Sequence, residues 1–216
     1  CTIKEFLACE GMPHTAGLLG RKDHVAVEDA TVVARLKASG AIIMGSSNVP
    51  EGGLWMETHN LIYGRTKNPW NVNHTPGGSS GGEAALIASG ASPLGMGSDV
   101  GGSVRIPAAF CGIAAHKPTG GLVPNTGHFP PISPAGGRFL VTGPMGRRVK
   151  DVRALLGVMA GPDGQDKACE YMDWHRKEPL DLKGLTVFPI PKPGKIRVRP
   201  EMQAVVERAA RALESR

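Results

Sequence analysis

The 216-residue chain is poor in cysteine, in aromatic residues and in long apolar runs. Aromatic residues make up only 5% of it, so Ala, Val, Leu and Ile must form most of the core. No CxxC pair occurs, which argues against a zinc site or a disulfide framework and favours free thiols in a reducing, cytoplasmic compartment. No apolar run approaches the roughly 20 residues of a membrane-spanning helix, and no secretory signal is visible. The cysteines are Cys1, Cys9, Cys111 and Cys169.

The ends of the sequence and its net charge indicate whether it is part of a longer protein and which partners it binds. The sequence begins at Cys1 without a methionine and stops within a predicted helix, so we expect a segment of a longer protein, whose membrane association is left open. The formal net charge is +6 and the pI is near 9.3, a balance that nucleic-acid binders share. The basic residues are scattered, however, with only weak clusters at 147–150 and 192–199, and we therefore expect no nucleic-acid partner.

Helical and strand patterns alternate along the chain, which predicts an α/β fold. Amphipathic periodicity and helix-forming residues predict helices at 27–39, 80–90, 149–160 and 201–215, with short ones near 50 and at 107–110. Short apolar runs predict strands at 1–6, 41–44, 92–96, 112–115, 139–142 and 185–190. Residues 59–74, 117–138 and 161–182 are expected to be loops. Trp55, Tyr63 and Trp70 are expected either to line a pocket or to anchor the first of these loops.

Two glycine-flanked serine clusters between residues 75 and 107 are the strongest chemical signal in the sequence. The first reads GGSSGG at 77–82, and the second reads GGS at 101–103. Glycine permits conformations and close approaches that other residues forbid, and serine is a nucleophile once a base removes its proton. A phosphate-binding loop is excluded because no Lys-Ser or Lys-Thr follows Gly82. The dinucleotide fingerprint fails because 95–101 has one residue too many.

The segment 77–81 also fits the GxSxG pattern of α/β-hydrolases, with Ser79 as the nucleophile. His116, His128 and His175 follow it as candidate bases. No HGGG-like oxyanion loop precedes the segment, however, and so short a pattern arises easily by chance in a glycine-rich chain. We therefore do not adopt the α/β-hydrolase interpretation.

Taken together, the motifs resemble the amidase signature family. GGSSGGE at 77–83, GMGSDVGGSVRIPAAFCGI at 95–113 and HKPTGG at 116–121 match its hallmark block. TIKE at 2–5 matches the segment of its catalytic lysine, and GRTKNPWN at 64–71 resembles the loop before the block. GMPHTAGL at 11–18, Glu5 and Glu83 look closer to the fatty-acid amide hydrolase branch than to the A-type component of the glutamyl-tRNA amidotransferase. The resemblance covers residues 2–124 and thins after about 160.

That resemblance implies a mixed β-sheet flanked by helices, of which this chain holds an incomplete portion. It implies an amidase signature core at 1–160 and the start of a downstream segment, with a linker, a strand and a helix, at 161–216. Carried over by position, the catalytic residues are Lys4, Ser79 and Ser103, with Ser103 as nucleophile and Ser79 after a cis peptide bond. The implied oxyanion hole consists of the backbone N–H groups of Val100, Gly101, Gly102 and Ser103.

The residues themselves support a relay that ends on a lysine. No histidine pattern offers a base for Ser103, whereas a lysine in an apolar strand has its pKa lowered by desolvation and can be neutral near neutral pH. An exposed position on an edge strand is the competing interpretation for Lys4. Gly101 and Gly102 have no side chain, so their N–H groups can face an oxyanion.

Several neighbours are expected to support the site or the fold rather than to react. Ser80 is either the N-cap of the following helix or a hydrogen-bond donor beside the site. Asp99 is expected to brace the glycine turn through its backbone amides, and Arg105 to form a structural ion pair. Cys111 is expected in the core, and His116 is expected to be structural.

We therefore expect a serine hydrolase that cleaves carboxylic amides through an acyl-enzyme on Ser103, with fatty-acid or arylalkyl amides as the first substrate class. The alternative within enzymes is a glutaminase component of the glutamyl-tRNA amidotransferase, of the A type. The alternative of another class is a catalytically silent fragment or a binding module. A small-molecule amide is the expected ligand, no metal or cofactor is expected, and a homodimer is kept as a candidate assembly.

Overall fold

A five-stranded mixed sheet forms the centre of the larger of two units, Cys1–Met172 and Asp173–Arg216, into which the chain divides. The computed structural model describes residues 1–131, 134–174 and 181–214. His175 and the predicted last residue of the C-terminal helix lie outside the described residues. The expected division into a core at 1–160 and a downstream segment at 161–216 stays a prediction.

The sheet has the strand order β2-β1-β5-β7-β6. The strands are β1 (Thr2–Lys4), β2 (Gly45–Ser47), β3 (His59–Asn60), β4 (Gly64–Arg65), β5 (Leu94–Asp99), β6 (Ala114–Ala115) and β7 (Val141–Gly146). β1 runs parallel to both β2 and β5, whereas β7 runs antiparallel to β5 and β6. β3 and β4 form a separate antiparallel hairpin. The predicted α/β class with a mixed sheet is therefore confirmed.

Helices cover both faces of the sheet. The helices of the larger unit are α1 (Thr31–Ala38), α2 (Gly81–Ala88), α3 (Arg105–Cys111), α4 (Pro134–Gly137) and α5 (Val149–Met159), with 3-10 turns at Leu19–Arg21 and Glu51–Gly53. The smaller unit contains α6 (Pro200–Glu214). Met145 of β7 packs in one core cluster with Ile87 of α2 and with Cys111, as expected for that cysteine. The adjacent Gly146 lies against Val152 of α5. Because alternate residues of a strand face opposite sides, α2 and α5 lie on opposite faces.

Glycine lets the start of α2 lie very close to the sheet. A Cβ atom at Gly82 would collide with the backbone of Asn48, and one at Gly95 of β5 would collide with the Glu83 carboxylate. This close approach places α2 directly against β1 and β5. Among the described helices, none combines the length and the apolar character that a membrane span requires.

Two strand predictions are wrong. Residues 41–44 form no strand, because pairing with β1 begins only at Gly45 and the side chains of Ile42 and Met44 are exposed. Residues 185–190 also form no strand. The described part of the smaller unit contains no strand that could pair with them, and a lone strand leaves its backbone groups without partners.

The other elements differ from prediction mainly at their ends. β5 and β7 extend beyond the predicted 92–96 and 139–142 because six residue pairs form an antiparallel ladder between them. The predicted loop at 59–74 contains the β3–β4 hairpin, and the irregular stretch 117–138 contains the short helix α4. The four long helices and the short helix at 107–110 are confirmed, although α1 begins later than predicted, at Thr31.

Candidate active site

Lys4, the last residue of β1, is fully buried. Its Nζ lies 2.6 Å from Ser79 Oγ, 3.0 Å from Ser98 Oγ and 3.2 Å from the Ser98 carbonyl oxygen. Burial lowers the pKa of Lys4 to about 7, although the charges of Asp99 and Glu83 act to raise it. The competing expectation of an exposed lysine on an edge strand is wrong, because β1 has a neighbouring strand on both sides. The Lys4 amine can therefore be neutral near pH 7 and accept a proton.

Ser79 and Ser80 lie in the glycine turn that precedes α2, and the peptide bond between Gly78 and Ser79 is cis. The Ser80 N–H donates to the Ser103 carbonyl oxygen at 3.1 Å, which ties the two serine clusters together. Ser80 occupies the N-cap position, but its hydroxyl makes no capping bond. That hydroxyl instead lies 3.3 Å from both the backbone nitrogen and the carbonyl oxygen of Ser98. Ser80 therefore links the glycine turn before α2 to β5 through hydrogen bonds.

Asp99 holds the second glycine–serine cluster in a tight turn. Its Oδ1 accepts the Gly102 N–H at 2.7 Å, and its Oδ2 accepts the Val104 N–H at 3.0 Å. Arg105 donates to the same carboxylate from Nε at 3.0 Å and from Nη2 at 2.9 Å. Burial raises the pKa of Asp99, but the hydrogen bonds from Arg105 and the backbone outweigh it and bring the pKa to about 2. Asp99 therefore accepts hydrogen bonds from the backbone amides of the glycine turn, and Arg105 forms an ion pair with its carboxylate; the sequence led us to expect both contacts.

The four residues expected to form an oxyanion hole do not have equivalent N–H groups. Gly102 has a φ of 123°, a conformation that favours glycine, and its N–H is engaged by Asp99. The N–H groups of Val100, Gly101 and Ser103 find no hydrogen-bond acceptor among the described residues. These three residues also line a cavity at the site, which we call the main cavity. Their N–H groups are therefore the ones available to a ligand.

The main cavity has a volume of about 660 Å³. Ser79, Ser98 and Ser103 all line it, so both predicted reactive serines face one space. The apolar side chains in its lining include Phe6, Leu54, Trp55, Met56, Ile106 and Leu140. His128 is the sole ionisable residue in the described lining. Such a cavity suits an apolar group attached to the reacting carbonyl.

The three aromatic residues noted in the sequence have different roles. Trp55 lines the main cavity and is 68% exposed. Trp70 anchors its loop, since its Nε1–H donates to the Cys111 carbonyl oxygen at 2.7 Å. The hydroxyl of Tyr63 lies 3.4 Å from Glu5 Oε1. Of the two roles expected from the sequence, Trp55 has that of lining a pocket and Trp70 has that of anchoring a loop.

Ser98 and His128 belong to the site although no sequence motif paired them. His128 Nε2 lies 2.9 Å from Ser98 Oγ, and His128 Nδ1 lies 3.1 Å from the Pro130 carbonyl oxygen. Burial, together with the nearby charge of Lys4, lowers the pKa of His128 to about 3. The α/β-hydrolase interpretation needs a histidine beside Ser79, whereas Ser79 contacts Lys4 and His128 contacts Ser98.

Comparison with known proteins matches the chain to one family model and to several related proteins. The family model described as Amidase matches residues 1–216. Human fatty-acid amide hydrolase 2 is 51% identical over 161 residues, which cover 74% of this chain and 30% of that protein. The A-type component of the glutamyl-tRNA(Gln) amidotransferase of Roseiflexus castenholzii is 38% identical over 215 residues, or 98% of this chain and 43% of that protein.

A solved structure of fatty acid amide hydrolase matches the fold with a TM-score of 0.85 at 26% identity. The match covers 99% of this chain and 38% of that chain. The present chain therefore spans less than half the length of each of these three proteins.

Proposed function

Since the chain belongs to the amidase family, we propose that it carries the active site of a serine hydrolase that cleaves carboxylic amide bonds. The observation that carries this proposal is the 2.6 Å hydrogen bond between Nζ of the fully buried Lys4 and Ser79 Oγ, beside a cavity that Ser103 also lines. A neutral amine in this position can accept the proton of the serine hydroxyl.

Ser103 is the nucleophile of the proposed reaction. Neutral Lys4 accepts the Ser79 proton while Ser79 Oγ accepts the proton of Ser103, and Ser103 Oγ then attacks the amide carbonyl carbon. Collapse of the tetrahedral intermediate breaks the C–N bond, and the departing amine takes a proton from Lys4 by way of Ser79. Water uses the same relay to hydrolyse the acyl-enzyme ester, which releases the acid and restores the Ser103 hydroxyl.

The N–H groups of Val100, Gly101 and Ser103 are the proposed donors to the oxyanion. A donor of this kind typically contributes about 3–4 kcal/mol to the stability of the transition state. Gly102, the fourth residue of the expected set, supports the turn because its N–H donates to Asp99.

A fatty-acid or arylalkyl amide is the proposed substrate class. The largely apolar lining of the main cavity supports it. Glutamine carries an ammonium and a carboxylate, and its recognition needs charged or hydrogen-bonding partners that replace water. The described lining offers no Asp, Glu, Lys or Arg side chain for this purpose. Hydrolysis of glutamine stays the second candidate because of the 38% identity to the amidotransferase component.

Covalent labelling by a fluorophosphonate probe tests the proposal. The full chain should be labelled, and Ser103→Ala should abolish the labelling. Lys4→Ala and Ser79→Ala should slow it by at least about a hundredfold, because each removes a proton acceptor of the relay. Ser89→Ala, at the exposed end of α2, is the matched control and should be labelled at the parent rate.

Other outcomes of the same experiment identify the alternatives. Labelling that persists in Ser103→Ala and disappears in Ser79→Ala would point to the GxSxG nucleophile. A folded chain that is not labelled at all would be a catalytically silent segment. Protection from labelling by a fatty amide supports the proposed substrate class, whereas release of ammonia from glutamine in the presence of a partner supports a role in an amidotransferase.

The four cysteines are free thiols, and three of them are buried. Free thiols support the proposal of a reducing, cytoplasmic compartment. The expected homodimer stays a prediction.

A further inference from the structure

A chain of hydrogen bonds links the Pro130 carbonyl oxygen to the proposed base through two side chains that the relay itself does not use. His128 Nδ1 lies 3.1 Å from that carbonyl oxygen, and His128 Nε2 lies 2.9 Å from Ser98 Oγ. Ser98 Oγ in turn lies 3.0 Å from Lys4 Nζ. The His128 ring packs edge-on against Phe6 at a centroid distance of 5.6 Å, which restricts its orientation.

The direction of each hydrogen bond follows from the chemistry of its partners. A carbonyl oxygen only accepts, so the His128 Nδ1 that faces Pro130 must carry a hydrogen. The half-buried ring is neutral at pH 7, because desolvation lowers the pKa of His128 to about 3. A neutral imidazole has one N–H, so His128 Nε2 is an acceptor. The Ser98 hydroxyl must therefore donate to His128 and offers only lone pairs to Lys4.

The same reasoning determines which hydrogen bonds the Lys4 amine donates and which it accepts. A neutral amine has two hydrogens and one lone pair. Two of its three neighbours are acceptors towards it, namely the Ser98 carbonyl oxygen at 3.2 Å and Ser98 Oγ at 3.0 Å. Both hydrogens are then donated to Ser98. The lone pair is left for the third neighbour, Ser79 Oγ at 2.6 Å, which is the arrangement that a base for Ser79 requires.

We propose that His128 is a positioning residue for the amide-cleaving reaction, because by accepting the Ser98 O–H it keeps the lone pair of Lys4 directed at Ser79. This inference rests on the proposed function of the relay. Without an acceptor at residue 128, the Ser98 hydroxyl is free to rotate and donate to Lys4. It then competes with the Ser79 hydroxyl for the single lone pair of the base, and proton transfer from Ser79 slows.

The test compares labelling rates with the fluorophosphonate probe in the parent chain and in five variants, two of which carry Ser98→Ala. His128→Phe keeps a planar ring but has no acceptor, and it should slow labelling by at least about tenfold. His128→Gln supplies an amide oxygen as acceptor and should recover most of the rate. His74→Phe, at an exposed histidine, is the control and should match the parent chain.

The decisive variant removes the competing hydroxyl. In a Ser98→Ala background there is no O–H to hold away from Lys4, so adding His128→Phe should change the labelling rate by less than about twofold. A role of His128 in packing alone would instead slow labelling by the same factor in both backgrounds, and that result would overturn the inference.

A spectroscopic measurement reports on the inference without any turnover. The 15N chemical shifts of the His128 ring at pH 7 should identify a neutral imidazole with its hydrogen on Nδ1. A hydrogen on Nε2, or a charged ring, would overturn the inference even in an active protein. A parent chain that is not labelled would instead overturn the proposed function and, with it, the role of His128. Normal labelling that is indifferent to His128→Phe would overturn the positioning role alone.

Discussion

Replacing Lys4 with methionine should change how the stability of the protein depends on pH. Lys4 Nζ is fully buried, and burial lowers its pKa from 10.5 to about 7. In the unfolded chain the same amine returns to its ordinary pKa. Between these two values the unfolded state therefore binds a proton that the folded state does not, and the free energy of unfolding rises with pH in this window.

The size of the effect follows from the gap between the two pKa values. Each pH unit in the window contributes about 1.4 kcal/mol, and the gap of about 3.5 units amounts to roughly 5 kcal/mol. At pH values above the ordinary lysine pKa this contribution is fully present, and it is lost as the pH falls to about 7. Methionine has a similar length and does not titrate, so Lys4→Met should remove the slope while filling most of the same space.

Urea denaturation between pH 8 and pH 10 measures the slope. The free energy of unfolding of the parent chain should rise by about 1.4 kcal/mol per pH unit more than that of Lys4→Met. Burial raises the pKa of the Cys111 and Cys169 thiols to about 11, so these thiols ionise in this window only in the unfolded chain. They contribute equally to both proteins, and the difference therefore isolates Lys4. Lys37→Met is the control, because Asp29 raises the pKa of this exposed lysine and its titration lies above the window. Parallel slopes for the parent and Lys4→Met would refute the burial of a neutral amine.

Four further substitutions test the turns and the loop around the site. Asp99→Asn should lower the free energy of unfolding by about 2–3 kcal/mol in urea and slow probe labelling at least about tenfold. It removes the charge of a buried carboxylate that accepts hydrogen bonds from the glycine turn and from the half-exposed Arg105. Gly102→Ala should lower the free energy of unfolding, measured by thermal denaturation, by about 1–3 kcal/mol, because Gly102 has a φ of 123°. Gly101→Ala should change it by less than about 0.5 kcal/mol, because the space at its Cβ is open. Equal losses in the two variants would contradict this reasoning. Trp70→Phe should cost about 1 kcal/mol in urea, through the lost bond to Cys111, and leave the labelling rate unchanged.

Much of the site was predictable because its turns are encoded by neighbouring residues. Gly77 illustrates this, since it has a φ of 83° and a Cβ atom there would lie 2.9 Å from Pro107 Cα. Only glycine fits such a position, so the glycine at residue 77 is a sequence signal of the close packing against α3 that the structure shows. The resemblance to the amidase signature family assigned Ser79 and Ser103 to one site, and the structure places both serines in the lining of the same cavity.

Prediction failed where an element depends on a partner that its own residues do not specify. Residues 185–190 have the apolar, β-branched character of a strand, but a strand is defined by the neighbour with which it exchanges hydrogen bonds. In the described part of the smaller unit that neighbour is absent. The run at 41–44 failed for a related reason, because the register with β1 places the strand at Gly45–Ser47.

The sequence by itself determined the fold class and the glycine turns, because each depends on residues that are close together in the chain. Only the tertiary structure decided the state of Lys4, whose lowered pKa comes from packing between β2 and β5. Tertiary contacts also decided which side chains meet at the site. They brought His128 to Ser98 across 30 positions and Lys4 to Ser79 across 75, distances in sequence over which no local pattern specifies a hydrogen bond.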